Sequence, residues 1–384
     1  MRILKFNLER TRSFQSVDWS PESLEVLIGP NAAGKSNLLD GIELVSRSAR
    51  GELDSWIRGR GGFGAFVYGG SADELRVSVK LSPVDKKRDI ERDSLTYNLG
   101  LQSLQGGLSY VIGDELLGNY YKVERGERDE PLKLLERTPR HAVVFDEQER
   151  ALLPQSPVNE AETLVSRAAG PLTCNRLVAA VQRELADWTV LRRIALRPAD
   201  WLVTRRDMRL REDASNLGNV LHTACGDSRS YRETLEKDLR PALGDDFAGI
   251  GFAPVGEGRT ELRLEWRSGS RPMPFLELSP GLQRYMAMHV LLAGPTRPAV
   301  VAIESPEAEL QPALLHRLID LARDVEETQV LLTTVSPALL DAFGDHLPAV
   351  TRVERGAEGS TLESLDSKAV EEWLDQFSLV DSRV

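Results

Sequence analysis

The chain contains few of the residues on which disulfide-rich, zinc-dependent and membrane-spanning proteins depend. Its five histidines are scattered along 384 residues, and its two cysteines, Cys174 and Cys225, are too far apart for a CxxC motif. The longest apolar runs, such as residues 299–303, have the length of a strand, whereas a membrane helix needs roughly 18 or more apolar residues. The first residues alternate like a strand and show no apolar signal-peptide core. The composition therefore disfavours these three classes and predicts a cytoplasmic protein of the reducing cytosol, with no membrane partner.

Basic residues are also in the minority, since 48 Lys and Arg stand against 59 Asp and Glu, for a net charge of −11. A protein that wraps nucleic acid over its whole surface is usually basic, so a contact with DNA would have to come from a local patch. The candidate patches are Arg192 with Arg193, and Arg205 and Arg206 with Arg209 and Arg211. The alternative is that these arginines are solvated or form ion pairs within the molecule, and the negative overall charge favours it.

Hydrophobic spacing divides the chain into three regions, which agrees with the two or three domains expected for its length. Residues 1–150 contain alternating, strand-like segments and predict a lobe with an antiparallel β-rich subdomain. Residues 151–245 predict a mainly helical insertion. Its expected helices are 160–169, 176–191 and 231–239, the last closed by Pro241. Residues 246–384 alternate between strand and helix, so the predicted fold class is α/β with a parallel sheet.

The strongest single motif is a glycine-rich loop, Gly29-Pro30-Asn31-Ala32-Ala33-Gly34-Lys35-Ser36. It fits the pattern G-x-x-x-x-G-K-[ST], follows an apolar strand-like run and precedes a segment with helical spacing. Glycines let the backbone turn so that successive N–H groups and the helix N-terminus face phosphate oxygens. Lys35 would reach the β- and γ-phosphates, and the hydroxyl of Ser36 would bind Mg²⁺. The loop therefore predicts nucleotide binding.

Two further segments follow in the last third of the chain. Leu278-Ser279-Pro280-Gly281 stands just ahead of a helix-like segment, and the apolar run 299–303 then ends in the carboxylate of Glu304. The order of a P-loop, a long insertion, a Ser-x-Gly motif and a strand that ends in a carboxylate resembles the ABC-type ATPases. The additional motifs that narrow the resemblance are Arg12-Ser13-Phe14, Asn37-Leu38-Leu39, Ser215-Asn216-Leu217, Glu304-Ser305-Pro306-Glu307 with Leu310-Gln311-Pro312, and Thr333-Thr334-Val335-Ser336-Pro337. With these motifs, the chain resembles the RecF/SMC-like branch of that class.

The resemblance implies an ABC-type P-loop ATPase head that binds ATP and Mg²⁺ and forms a head-to-tail homodimer around the nucleotide. The implied nucleotide contacts are Asn31, Ala32, Ala33, Gly34, Lys35, Ser36 and Asn37 on one subunit, with Ser279 and Gly281 on the other. Ser36 and Glu304 are the implied Mg²⁺ ligands, and Lys35 and Glu304 the implied catalytic residues. The Q-loop ligand is left unassigned, because no glutamine lies between Ser36 and Gln102.

Two positions depart from the pattern of the family. Ser305 stands where the family has the glutamate that polarises the attacking water, and Val335 stands where it has a histidine. A serine is not a general base near neutral pH without activation, so ATP binding is expected to survive while hydrolysis is slow or absent. The alternative is that Glu304 or Glu307 serves as the base and that the protein is an ordinary weak ATPase.

The sequence thus leads to two hypotheses. The first is an ATP-binding dimer that acts in DNA repair or anti-phage defence, with DNA as a candidate partner. The second is an impaired ATPase that senses ATP and serves as a scaffold for a separate nuclease or toxin. An intrinsic nuclease is disfavoured, because OLD-type relatives carry an additional nuclease domain with an Asp-x-Asp motif that this chain lacks. A transport ATPase is also disfavoured, since the heads of transporters are shorter and lack this insertion.

Overall fold

The chain folds into two compact units in a computed structural model. The model describes residues 1–146, 148–152, 158–167, 175–192, 205–256 and 258–381, with side chains as far as residue 374. The first unit consists of Met1–Trp188 and Thr351–Leu365, and the second consists of residues 189–350 and those from Asp366 onward. Across the described ranges, no helix is both long enough and apolar enough to cross a membrane.

The first unit opens with nine strands. In chain order they are β1 (Ile3–Thr11), β2 (Phe14–Trp19), β3 (Leu24–Ile28), β4 (Glu74–Leu81), β5 (Leu95–Leu104), β6 (Ser109–Asn119), β7 (Leu132–Thr138), β8 (His141–Phe145) and β9 (Ala151–Leu152). All except β3 form one antiparallel sheet in the order β2-β1-β4-β5-β6-β7-β8-β9. Along β4 every second residue is buried, as a sheet with one core face requires. The antiparallel β-rich subdomain of the predicted fold class is confirmed.

The helices of this part are α1 (Lys35–Arg50), α2 (Leu53–Gly59), α3 (Ile90–Asp93), α4 (Tyr121–Glu124) and α5 (Arg176–Asp187). The side chain of Asn175 caps α5 by accepting from the N–H groups of Leu177 and Val178. The prediction of a helix over 176–191 is wrong at its end, because Thr189–Leu191 is a strand.

The predicted helix over 160–169 is also wrong for its described residues. Residues 160–167 form turns and a short 3₁₀ segment, Val165–Arg167. The carboxylate of buried Glu115 accepts hydrogen bonds from the N–H groups of Leu164 (2.5 Å) and Val165 (2.8 Å), and these tertiary bonds fix the segment. Burial raises the pKa of Glu115.

The second unit contains two further groups of strands. They are β10 (Thr189–Leu191), β11 (Phe247–Gly256), β12 (Arg259–Trp266), β13 (Met273–Pro274), β14 (Val300–Glu304) and β15 (Gln329–Thr333). Strands β10, β14 and β15 are parallel and lie in that order, whereas β11, β12 and β13 form a small antiparallel sheet. Every residue of β15 is buried, as expected for a strand with both faces covered. The predicted parallel sheet is therefore confirmed.

The helices from here onward are α6 (Leu217–Asp227), α7 (Arg229–Leu243), α8 (Pro280–Ala293), α9 (Pro312–Asp324), α10 (Pro337–Asp341) and α11 (Ser367–Asp381). The expected end of α7 at Pro241 is wrong, because the helix continues through Pro241 to Leu243. A proline this close to the end removes one internal hydrogen bond, and the buried face with Tyr231, Leu235 and Leu239 holds the helix together.

The chain finally returns to the first unit. Strand β16 (Ala349–Gly356) leads into β17 (Gly359–Leu365), and within this unit β3, β16 and β17 lie side by side in that order. The N–H of Ser360 donates to the carbonyl of Ser13 at 2.7 Å, which ties the start of β17 to the turn between β1 and β2. A segment near the C-terminus therefore completes the surroundings of the N-terminal strands.

A buried polar cluster joins three helices of the second unit. His289 on α8 lies with Nε2 3.1 Å from a carboxylate oxygen of Asp238 on α7, and the other oxygen accepts from Arg317 on α9 at 2.7 Å. Nδ1 of His289 lies 3.3 Å from the hydroxyl of Tyr231. Loss of hydration on burial lowers the pKa of His289. The cluster fixes the register of α8, the helix that follows the Ser-x-Gly motif.

Candidate nucleotide-binding site

The predicted P-loop connects β3 to α1 in the first unit. Its backbone turns through positive φ angles at Gly29 (144°), Ala32 (62°) and Gly34 (120°). Gly34 is the N-cap of α1, and because it is a glycine it has no side chain with which to cap the helix end. The N–H groups of the first turn are thus presented together at the positive end of a 16-residue helix. This is the arrangement that binds phosphate in proteins.

The packing around the loop explains why two of its residues are glycine. A Cβ on Gly29 would lie 2.2 Å from the carbonyl oxygen of Val353, and a Cβ on Gly34 would lie 2.5 Å from Oγ of Ser360. Both contacts are far shorter than real Cβ contacts, and both φ values disfavour any other residue. The carbonyl of Val353 and the hydroxyl of Ser360 therefore approach the loop closely. We call the concave backbone surface between Gly29 and Gly34 the glycine cradle, and a side chain at either glycine would fill it.

A small hydrogen-bond network connects the P-loop to residues packed against it. The hydroxyl of Ser360 donates to the carbonyl of Ala33 at 2.5 Å and lies 2.8 Å from Oγ of Ser13. The amide of Asn37 donates to the same Ser13 oxygen at 2.8 Å. These residues come from β17, the β1–β2 turn and α1, so the shape of the loop depends on three separate parts of the chain.

Lys35 is buried and its ammonium group faces the loop itself. Nζ donates to the carbonyl oxygens of Gly29 at 2.6 Å and Pro30 at 2.9 Å. Asn31 and Ala32 are exposed at the tip, Ala33 is buried, and Ser36 and Asn37 are half-buried.

The structure adds a pocket that the sequence did not predict. Its volume is about 500 Å³, and it opens beside the start of α1. It is lined by Arg12, Ser13, Asn37, Gly64, Ala65, Val67, Tyr68, Gly69, Gly70, Arg355, Gly356, Ala357 and Gly359. The guanidinium of Arg12 stacks 4.2 Å from the ring of Phe66 and forms an ion pair of 3.0 Å with Asp40. The lining thus contains two arginines, of which Arg12 is paired with Asp40, and one aromatic side chain, Tyr68.

The Ser-x-Gly motif lies at the N-terminus of α8 in the second unit. Ser279 is the N-cap, and its Oγ accepts from the N–H of Leu282 at 3.3 Å. Pro280 begins the helix, where a missing N–H costs nothing. A Cβ on Gly281 would lie only 2.0 Å from the carbonyl oxygen of Glu309. Gly281 therefore has a packing role within its own unit, whatever else it contacts.

Glu304 ends β14, and the turn after it is tied to α8. The guanidinium of Arg284 on α8 donates to the carbonyl oxygens of Glu304 and, at 3.0 Å, of Ser305. It also donates to the carbonyl of Arg192 after β10 at 3.0 Å. The N–H of Ser305 donates to the carbonyl of Thr333 at 2.8 Å, and its φ is 49°. The backbone that follows Glu304 is thus fixed from both sides.

The segment after β15 contacts the same turn. The hydroxyl of Thr334 donates to a carboxylate oxygen of Glu307 at 2.5 Å and accepts from the N–H of Ser336 at 2.8 Å. Val335 lies between them and is half-exposed. Its side chain has no polar atom, so no hydrogen bond to a phosphate is available at this position.

Three of the remaining candidates from the sequence, Arg205, Arg206 and Cys225, have ordinary structural explanations. Arg205 forms an ion pair with Asp207 at 3.0 Å, and Arg206 forms one with Asp227 at 2.8 Å. Burial raises the pKa of the Cys225 thiol to about 12, so it is not a reactive thiolate. Arg193 and Cys174 lie outside the described residues. Within the described part of the chain, no group of three His, Cys, Asp or Glu side chains is placed to hold a metal ion.

The residues present nevertheless fit a magnesium nucleotide. Mg²⁺ keeps several waters and takes one or two protein oxygens together with phosphate oxygens, so it needs no cage of protein ligands. The hydroxyl of Ser36 at the start of α1 is one such oxygen, and the glycine cradle in front of it has the shape of a phosphate site.

Comparison with known proteins identifies the family. A family model described as "AAA domain, putative AbiEii toxin, Type IV TA system" matches residues 25–341. The curated OLD nuclease of Thermus scotoductus is 22% identical over 347 residues, which cover 88% of this chain and 60% of that protein. The chain therefore spans about three fifths of the length of this relative.

Solved structures show the same fold. The SmcHead bound to the C-winged helix domain of ScpA aligns over 97% of this chain and 100% of its own, with a TM-score of 0.58 and 14% identity. The Smc head of Pyrococcus furiosus with an extended coiled coil, bound to the C-terminal domain of ScpA, aligns over 98% and 99%, with a TM-score of 0.58 and 11% identity.

The fold is therefore that of the RecF/SMC-like ABC-type ATPase heads. The chain belongs to the family described as "AAA domain, putative AbiEii toxin, Type IV TA system", whose model matches most of its length.

Proposed function

We propose that the protein binds Mg·ATP at the P-loop and that the nucleotide joins two copies head to tail. The observation that carries the proposal is the glycine cradle at the N-terminus of α1, with the ammonium of Lys35 beside it. The oxygens of a triphosphate can accept hydrogen bonds from these N–H groups. They can also replace the carbonyl oxygens of Gly29 and Pro30 as the acceptors of the Lys35 ammonium group. Ser36 and Glu304 would hold Mg²⁺, which neutralises phosphate charge.

The pocket beside α1 is the proposed site for the base and ribose. It shares Asn37 with the start of the helix and Ser13 with the network beneath the loop. Tyr68 offers an aromatic face on which a base can stack, while Arg12 and Arg355 contribute positive charge. Residues from four separate segments would thus contact one nucleotide.

The second subunit is proposed to contribute Ser279 to the γ-phosphate. Ser279 is the N-cap of α8, so the motif lies at the positive N-terminal end of a second helix. Two positive helix ends on one polyanion give a physical reason for ATP-dependent association. Slow hydrolysis is expected, because Ser305 and Val335 replace the groups that the class uses to activate water.

Molecular mass in solution tests this proposal. Mg·ATP is expected to double the mass of the parent protein. Lys35→Ala should remain monomeric because it loses the nucleotide. Ser279→Asp should bind ATP and remain monomeric, since Asp still caps the helix but repels a phosphate. A mixture of the two variants should dimerise, because the P-loop of the Ser279→Asp copy and the Ser279 of the Lys35→Ala copy together form one complete site. An unchanged mass of the parent protein with bound ATP would contradict the head-to-tail dimer.

A second candidate function is an ATP-sensing scaffold for a separate effector such as a nuclease or toxin. The observations that favour it are the same two replacements and the ion pairs of Arg205 and Arg206, which offset the charge of two arginines in one candidate DNA patch. Action in DNA repair or anti-phage defence predicts duplex binding that weakens as salt rises. If ATP-loaded protein binds no duplex at low salt, the scaffold function is favoured.

A further inference from the structure

Two buried carboxylates, Asp40 and Glu43, lie three residues apart on α1 of the first unit. Asp40 accepts a hydrogen bond from Arg60 at 2.7 Å and forms an ion pair of 3.0 Å with Arg12. Glu43 accepts from the same Arg60 at 3.1 Å. Buried carboxylates are costly unless they are paired and hydrogen-bonded. The network connects Arg12, which lines the pocket beside α1, with Arg60, which is not among the described residues that line it.

Two aromatic rings support the arginines that share Asp40. The guanidinium of Arg12 lies 4.2 Å from the centre of the Phe66 ring, and that of Arg60 lies 4.9 Å from the centre of the Trp56 ring. The centres of the two rings are themselves 4.6 Å apart. A guanidinium at such a distance is attracted to the face of the ring. Arg12 is therefore held by a ring against its face and by the carboxylate of Asp40.

The backbone of Arg12 is fixed as well. Its φ is 55°, in a region that residues other than glycine rarely adopt. Its N–H donates to the carbonyl of Phe66 at 2.8 Å, and the neighbouring Thr11 forms an antiparallel bridge with Val67. Strained backbone of this kind persists only where the surrounding contacts determine it, and it clusters at ligand sites. The backbone contacts thus place Arg12 at the pocket, and Asp40 determines where its guanidinium points.

We propose that Asp40 is a positioning residue of the nucleotide site, which holds the guanidinium of Arg12 toward the nucleoside part of ATP. The inference rests on the proposed function, in which the pocket beside α1 takes the base and ribose. Arg12 is one of the residues that line this pocket, whereas Asp40 is not among the described lining residues. Asp40 therefore acts through Arg12. A guanidinium that is oriented before the ligand arrives loses less conformational freedom on binding.

The negative charge of Asp40 separates this role from simple electrostatics. ATP is an anion, so Coulomb's law alone predicts that removal of a nearby carboxylate strengthens ATP binding. A positioning role predicts the opposite, because an Arg12 side chain without its partner must be ordered when the nucleotide binds. The direction of the change in affinity therefore distinguishes the two.

Asp40→Asn removes the charge of this residue while keeping its shape and one acceptor oxygen. The variant is expected to bind Mg·ATP at least about threefold more weakly than the parent, a coupling typical of residues in contact. It should bind magnesium tripolyphosphate like the parent, because this probe can occupy the P-loop but has no nucleoside part. Titration calorimetry measures both affinities.

Arg60→Gln is the matched control for this variant. It also removes a partner of Asp40, but it leaves the ion pair between Asp40 and Arg12 in place. Glu43 keeps the hydrogen bond of 2.6 Å from the indole N–H of Trp56. The control should therefore bind ATP within about twofold of the parent, as expected for a change that does not reach the pocket.

A double-mutant cycle tests whether Asp40 acts through Arg12. Arg12→Ala alone is expected to weaken ATP binding by about 10–100-fold, as the loss of a hydrogen bond from a charged group does. Addition of Asp40→Asn to Arg12→Ala should then change the affinity by less than about twofold, because the residue that Asp40 positions is gone. An effect of Asp40 on the fold alone would persist in this background.

Four results would overturn the inference. They are an ATP affinity of Asp40→Asn that equals or exceeds that of the parent, an equal loss of ATP and tripolyphosphate binding in that variant, an effect of Asp40→Asn that persists without Arg12, and an unchanged ATP affinity in Arg12→Ala. A parent protein that binds neither ATP nor tripolyphosphate would instead contradict the proposed function itself.

Discussion

The ammonium group of Lys35 donates a hydrogen bond of 2.6 Å to the carbonyl oxygen of Gly29, the first residue of its own loop. A second bond of 2.9 Å goes to Pro30. The backbone of the loop thus binds the ammonium group of Lys35 at the place where phosphate oxygens are expected. Binding of a triphosphate exchanges two neutral acceptors for charged ones, and charge-assisted hydrogen bonds are roughly twice as strong.

Lys35→Ala is predicted to weaken ATP binding by roughly 100-fold, which corresponds to about 2–3 kcal/mol for a lost charge-assisted contact. Titration calorimetry measures the affinity. Thermal unfolding provides a second readout, since a ligand that binds the folded state raises the melting temperature. Lys5→Ala is the matched control, because Lys5 forms an exposed ion pair with Asp18. Equal ATP affinity in both variants would contradict the assignment of Lys35.

Gly281→Ala is predicted to destabilise the protein by about 2 kcal/mol or more, because the added methyl group collides with the Glu309 carbonyl. Gly226→Ala is the matched control, since Gly226 also lies in a helix and a Cβ there meets nothing within 4 Å. This control should be neutral or stabilise the protein by up to about 1 kcal/mol. Denaturant unfolding of both variants measures the difference, and similar midpoints would show that the contact with Glu309 is not tight.

Ser305→Glu combined with Val335→His is predicted to raise kcat by at least about tenfold, since general-base catalysis alone is typically worth 10²–10⁴-fold. The φ of 49° at Ser305 already disfavours serine, so glutamate adds little backbone strain. Steady-state phosphate release measures the change. Ser305→Gln with Val335→Asn provides polar control side chains that do not titrate. A kcat equal to that of the parent would mean that neither missing group limits turnover.

The buried imidazole of His289 is predicted to make the protein sensitive to acid. Its pKa in the folded state is lowered from the ordinary 6.5 by burial, so its contribution to stability is complete above that pH and is lost as the pH falls below it. His289→Gln should therefore flatten the fall in unfolding free energy as the pH drops below about 6.5.

Urea unfolding at several pH values measures this dependence. His346→Gln is the control, because His346 is exposed and should leave the slope of the parent protein unchanged. A slope in His289→Gln equal to that of the parent would show that other groups cause the loss of stability in acid.

Much of the P-loop could be predicted because its determinants are local. Eight consecutive residues fix the position of the turn, and the glycines mark where the backbone requires positive φ. The contacts that require those glycines could not be predicted, because Val353 and Ser360 lie more than three hundred residues away along the chain. The sequence showed which residues are glycine, and the structure shows what approaches them.

The pocket and the strand β10 were missed for the same physical reason. The pocket is lined by segments between Arg12 and Gly359 that no local pattern connects. Residues Thr189–Leu191 continue the apolar spacing of α5, but they form a strand because they pair with β14. Similarly, the sequence left Glu304 and Glu307 as alternatives for the base, and the structure adds partners for each: Glu307 accepts a hydrogen bond from Thr334, and Glu304 forms an ion pair with Arg192 at 4.0 Å.

The hydrogen bond from Ser360 to Ala33 joins residues 327 positions apart. A ribosome adds about 5–20 residues each second, so the loop emerges roughly 15–65 s before its support is synthesised. During that time the first unit also lacks the β16–β17 hairpin, whose Val353 and Ser360 form the walls of the cradle. A truncated translation product is therefore expected to have no working ATP cradle, and it would not compete with finished chains for a partner.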